Sequence, residues 1–142
     1  MIAEIDTSCL LMRTRLISRV ITDIYDEQLR SLEISSAQFA LLVAIYQVQP
    51  ATRADIGRHQ HLDPSTLTRH LKVILSEGWA EEIRERADGR RRPIVLTRAG
   101  MDVLHKAEPA WRVAQVQVKD LLGKDAFIAV MDVASRIMDP IA

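Results

Sequence analysis

Leu62-Asp63-Pro64-Ser65-Thr66-Leu67-Thr68-Arg69-His70-Leu71-Lys72-Val73-Ile74-Leu75-Ser76-Glu77-Gly78 carries both ends of a helix in its own letters. Asp63 is placed to cap the start, and Pro64 takes the first helical position, where a missing N–H costs nothing. Gly78 follows the last periodic residue and suits a left-handed stop. Leu67, Leu71, Ile74 and Leu75 recur at helical spacing and make one apolar stripe. Ser65, Arg69 and Lys72 lie opposite, rimmed by Thr66 and Thr68. The bland reading is a solvated surface face. The sharper one is a reader helix for the DNA major groove, where Arg reads guanine and hydroxyls reach bases or phosphates.

The segments before it support the sharper reading. Ser35-Ser36-Ala37-Gln38 has the spacing of a capping box and opens a helix through Phe39, Leu41, Leu42 and Ile45 to about Gln47. Pro50 breaks it, and Thr52 with Asp55 opens a short helix to about Gln60. A turn at His61-Leu62, without a glycine of its own, leads into the quoted stretch, completing a helix-turn-helix pattern. Gly57 inside the short helix suggests close packing there.

After Gly78, residues 79–85 alternate imperfectly and read as a strand; Asp88-Gly89 is a hairpin signal, and Pro93-Ile94-Val95-Leu96 returns. Pro93 implies a strand-end or edge position. Five arginines stand between 84 and 92. A hairpin tip has little core to protect, so this charge points to an anionic partner, with a solubilising loop as the plainer alternative. Residues 53–98 carry a balance of +3 and the remainder −3, within a chain whose formal net charge is +0.

The ends read as helices. Residues 8–31 form a long first helix with Leu10, Ile17, Ile21 and Ile24 on one stripe, widened by Leu16 and Val20. So broad an apolar surface calls for a partner subunit or for the body of its own chain. Thr97 caps a long helix through Met101, Leu104, Trp111 and Val118 to Leu122, with Pro109 suggesting a kink and Gly123 as the stop. Lys124-Asp125 opens a last helix through Phe127, Val130, Met131, Ala134 and Ile137, ended by Pro140. With one cysteine no internal disulfide forms; with neither a membrane span nor a signal peptide in the reading, a cytoplasmic setting is expected. No glycine-rich phosphate loop, G-x-S-x-G elbow or H-E-x-x-H motif points to an enzyme, and no cofactor is implied.

In this order the chain resembles the MarR family of winged helix-turn-helix transcription regulators, from about Leu10 to Ile137. The quoted stretch to Arg69, Glu77-Gly78-Trp79, Asp88-Gly89-Arg90-Arg91 and Leu96-Thr97-Arg98-Ala99-Gly100 carry the resemblance. Arg98 departs from it, since an acidic residue usually follows that threonine. The resemblance implies a mainly α fold with a small β-hairpin wing. Residues 33–96 would form the winged helix-turn-helix, and 1–32 with 97–142 the helices that interlock a homodimer. It places Ser65, Thr66, Thr68 and Arg69 in the major groove of double-stranded DNA. Arg90 would enter the minor groove, held by Asp88. Lys72, Arg86, Arg91 and Arg92 are expected on phosphates.

It also implies a repressor released from a pseudo-palindromic operator by a small ligand or an oxidant. Tyr25, Phe39, Met101, His105 and Trp111 are the candidates for a pocket taking an aromatic or phenolic effector; ordinary core or dimer interface is their bland reading. Cys9, near a helix start with Arg13 one turn on, is the candidate redox sensor, against an inert interface or surface thiol. His59, His61, His70 and His105 have no metal-ligand spacing, so no metal site is expected. The competing class is a winged-helix adaptor without sequence-specific DNA binding, against which the hairpin arginines speak.

Overall fold

The computed structural model describes residues 1–84 and 91–138. Seven α-helices and one two-stranded sheet occur among them. Helix α1 (Ile2–Ser8) is followed by α2 (Leu10–Leu29), a 3-10 turn (Arg30–Leu32), α3 (Ser36–Val48), α4 (Arg53–Gln60) and α5 (Pro64–Ser76). Strands β1 (Ala80–Glu82) and β2 (Ile94–Leu96) precede α6 (Arg98–Leu122) and α7 (Lys124–Ile137). The Asp88-Gly89 turn lies outside the described residues, as does Pro140.

Side-chain caps set the starts of α3, α4, α5 and α6. The expected capping boxes are present at both Ser35/Gln38 and Thr52/Asp55. Asp26 on α2 accepts from the Ser36 N–H at 2.7 Å, fixing where α3 leaves α2. Between residues 10–32 and 36–48 the chain turns by 87°. At the glycine-free turn after α4, His61 itself takes the left-handed conformation, with φ of 52°. Its N–H and that of Leu62 reach back to α4 carbonyls, which holds the strained residue in place.

The core lies within the winged portion. Leu42, Ile45, Ile56, Leu71, Ile74 and Ile94 are buried together, drawing one face each from α3, α4, α5 and β2. The sheet is antiparallel, pairing Ala80 with Leu96 and Glu82 with Ile94. Pro93 stands just before β2, at the strand end, where its missing donor costs no ladder bond. Ile94 also exchanges both backbone hydrogen bonds with Ala51, at 3.3 and 2.7 Å.

The first helix differs from its expected bounds. In place of one helix over 8–31, Cys9 is extended (ψ 111°) and divides α1 from α2. The Arg13 guanidinium reaches back across this joint to the carbonyls of Asp6 and Thr7, at 3.3 and 3.2 Å. Helix α6 continues through Pro109 without an assigned break. It runs beside α2, and the two bury Leu29, Ala114 and Val118 but leave a further set of apolar residues uncovered. Leu10, Leu11, Leu16, Ile17 and Val20 remain exposed, as do Val113, Val116, Leu121, Ile128 and Met131 at the other end of the chain.

A seam joins the end of α5 to the start of α6. The Thr97 hydroxyl donates to the Gly78 carbonyl at 2.5 Å and accepts from the Gly100 N–H at 3.1 Å. The Thr97 N–H donates to the Trp79 carbonyl at 3.1 Å. Gly100 lies against that same carbonyl, and a Cβ there would collide with its oxygen. At Gly57 the added atom would meet the Leu67 side chain at 3.4 Å, an ordinary contact. Gly100→Ala should therefore destabilise the fold by about 1–3 kcal/mol through overpacking. Gly57→Ala should be neutral or slightly stabilising, because alanine is the better helix former. Urea unfolding of the two variants checks the contrast.

Candidate nucleic-acid interface

Helix α5 buries Leu67, Leu71 and Ile74 and turns the opposite side outward. Ser65, Thr68, Arg69 and Lys72 are exposed on that side, and Thr66 is half-buried at its edge. Asp63 caps the helix, accepting from the Thr66 N–H at 3.1 Å. It also accepts from the Ser65 hydroxyl at 2.5 Å and the Thr66 hydroxyl at 2.7 Å. The Ser65 hydroxyl bond, then those from Thr66, hold the Asp63 carboxyl far below the usual carboxylate range.

A shallow depression of about 630 Å³ lies between α4 and the start of α5, lined in part by Arg53, Arg58, His61 and Thr68. Arg53 and Arg58 were not among the expected site residues. Both are paired at the surface: Arg53 with Glu82 of β1 at 2.6 Å, and Arg58 with Asp55. The only sequence signal for them was the adjacent capping box. On the wing, Arg91 and Arg92 are exposed. Arg86, Asp88 and Arg90 lie outside the described residues.

The candidate pocket residues divide. Phe39 on α3 and His105 and Trp111 on α6 line one cleft of about 190 Å³, with Val43, Leu104 and Glu108. Tyr25 and Met101 are not in its lining. The Tyr25 hydroxyl donates to Gln115 on α6, and burial pushes its phenol up. Cys9 is partly exposed at the α1–α2 joint, and the Arg13 guanidinium is turned to the α1 carbonyls. Among the described residues no group of three or more His, Cys, Asp or Glu side chains is arranged to hold a metal ion. No single helix among them is long and apolar enough to cross a membrane.

Residues 32–91 match the sequence profile of the MarR family, spanning the helix-turn-helix and the base of the wing. Over that stretch the chain is similar to MarR family regulators. The HTH-type transcriptional regulator SarZ of Staphylococcus haemolyticus is 29% identical over 79 residues, 56% of this chain and 54% of that protein. The chain spans about half the length of the curated relatives it matches. Among solved structures, a cysteine-to-serine mutant of E. coli MarR complexed with operator DNA superposes with a TM-score of 0.80. That likeness covers 96% of this chain and 98% of the other at 20% identity, and it shows the winged-helix fold. The M. tuberculosis transcriptional regulator MosR is 27% identical, covering 91% and 96%, with a TM-score of 0.73.

Two MarR-fold helices here depend on ionised caps. The Asp55 carboxyl is lowered chiefly by the Thr52 hydroxyl and backbone, and further by Arg58. Both Asp55 and Asp63 have folded pKa values below those of the unfolded chain. Their contribution is therefore complete above about pH 4 and is lost as pH falls through the folded values. Acid titration by circular dichroism should show stability declining below about pH 4. Thr52→Ala should cost about 0.5–2 kcal/mol at neutral pH.

Proposed function

We propose that this protein is a homodimeric, sequence-specific DNA-binding transcription regulator acting as a repressor. The exposed face of α5, on the fold seen in an operator-bound MarR, carries the reading. Thr68 and Arg69 read major-groove edges together with Ser65 and Thr66, while Lys72, Arg86, Arg91 and Arg92 hold phosphates. Arg90 enters the minor groove with Asp88 fixing its direction. Residues 33–96 are the DNA-binding unit, and 1–32 with 97–142 form the dimer.

The uncovered apolar residues of α1, α2, α6 and α7 support the dimer, because single chains do not leave so much apolar surface in water. A twofold dimer presents two reader helices, which calls for an inverted repeat with half-sites about one helical turn apart. Release follows from a small ligand or an oxidant. The Phe39–His105–Trp111 cleft supports the ligand route, since a cavity of about 150 Å³ already holds a benzene ring. A M. tuberculosis MarR family protein of similar fold was solved with salicylic acid. The oxidant route rests on Cys9, the one thiol in the sequence.

Binding selection on random duplexes tests the reading, and a short inverted repeat is the expected product. No motif at any salt would favour the adaptor. Arg69→Ala should alter sequence preference, at about 1–3 kcal/mol per lost base contact. Arg91→Ala should weaken all sequences alike and flatten the salt dependence. Equal loss for both variants on every sequence would remove α5 as the reader. Mild peroxide should abolish binding by the wild type but not by Cys9→Ser if the thiol is the sensor.

A further inference from the structure

Asp63 determines which hydrogen-bonding role the first turn of α5 presents to a base. An ionised carboxylate has no proton to give, so in both hydroxyl contacts the serine and threonine must be the donors. The Ser65 hydroxyl points its proton to Oδ2 at 2.5 Å, and the Thr66 hydroxyl points its own to Oδ1 at 2.7 Å. Each hydroxyl has one proton, and each is spent inside the protein. What remains outward is lone pairs.

Phosphate oxygens, guanine O6 and N7, and thymine O4 are acceptors and gain nothing from such groups. The cytosine N4 and adenine N6 amino groups are the major-groove donors that do. Arg69, exposed one turn along, has the opposite character: five donors and no acceptor. We infer that the Asp63 clasp makes Ser65 and Thr66 obligate acceptors, so that the first turn of α5 selects an amino-bearing base, cytosine or adenine, while Arg69 selects guanine. This assignment rests on α5 being the reader helix and adds the class of base read at one end of it.

An amide in place of the carboxylate supplies the test without removing the cap, because asparagine caps helices as well as aspartate does. In Asp63→Asn the amide oxygen must stay at the Oδ2 place, where the Thr66 N–H and the Ser65 hydroxyl both need an acceptor. The amide nitrogen then stands at the Oδ1 place and donates to the Thr66 hydroxyl, which turns its proton outward and becomes a donor. Binding selection on random duplexes is run for the wild type, Asp63→Asn and the near-isosteric Thr66→Val, with circular dichroism confirming that each is folded.

The wild type should prefer cytosine or adenine at the position whose preference disappears in Thr66→Val. Asp63→Asn should turn that position toward guanine or thymine. The change should be roughly two- to tenfold in relative affinity, the worth of a single hydrogen bond. A guanine or thymine preference at the Thr66-dependent position of the wild type overturns the inference. So does an unchanged motif in Asp63→Asn, while leaving the regulator reading intact. A wild type that selects no motif overturns both. Should Asp63→Asn fail to fold, the wild type against Thr66→Val still decides, since the flattened position must be an amino-bearing one.

Discussion

The seam between Gly78, Trp79, Thr97 and Gly100 fixes the direction of α5 relative to α6. One hydroxyl does two jobs there: it accepts from the α6 terminus and donates to the carbonyl just beyond α5. The side chain missing from Gly100 lets the two backbones touch. Where Gly100 meets the Trp79 carbonyl the contact is backbone to backbone and has no rotamer to absorb a displacement. The seam thus joins the start of α6, the long helix that carries part of the apolar terminal surface, directly to the end of α5. The cleft of Phe39, His105 and Trp111 sits between α3 and the same α6.

Most of this fold could be read from the letters, and the reason is local. Ser35/Gln38, Thr52/Asp55, Asp63-Pro64 and Thr97 are short-range signals whose hydrogen bonds span three residues, so each helix start is written beside itself. The stripe of Leu67, Leu71 and Ile74 likewise follows from period alone. What escaped was non-local. Pairing of Ala51 with Ile94, a single bridge on the side of β2 away from β1, joins residues with no shared pattern. Gly100 was visible as part of a motif, but its reason is a carbonyl on another element.

The candidate site was legible as an exposed face and less so in its hydrogen bonding. The exposed face of α5 is the one the sequence indicated, yet the protons of Ser65 and Thr66 are directed by a residue read only as a cap. Arg53 and Arg58 were passed over because an arginine beside a capping box looks like any solvated charge. Of five pocket candidates three share a cleft; Tyr25 went instead to Gln115, a partner ninety positions away. Spacing assigns residues to a face but not to a common wall.

Helix α1 has seven residues and buries none of them in its own chain. A helix that short does not hold itself together in water, and two guanidinium contacts from Arg13 are a slender tether. Met1, Ile2 and Ile5 gain shelter only when something else lies over them. In the proposed dimer the helicity of residues 2–8 would be a gauge of assembly, rising with protein concentration and fraying on dilution, while the capped helices around the core would keep their shape.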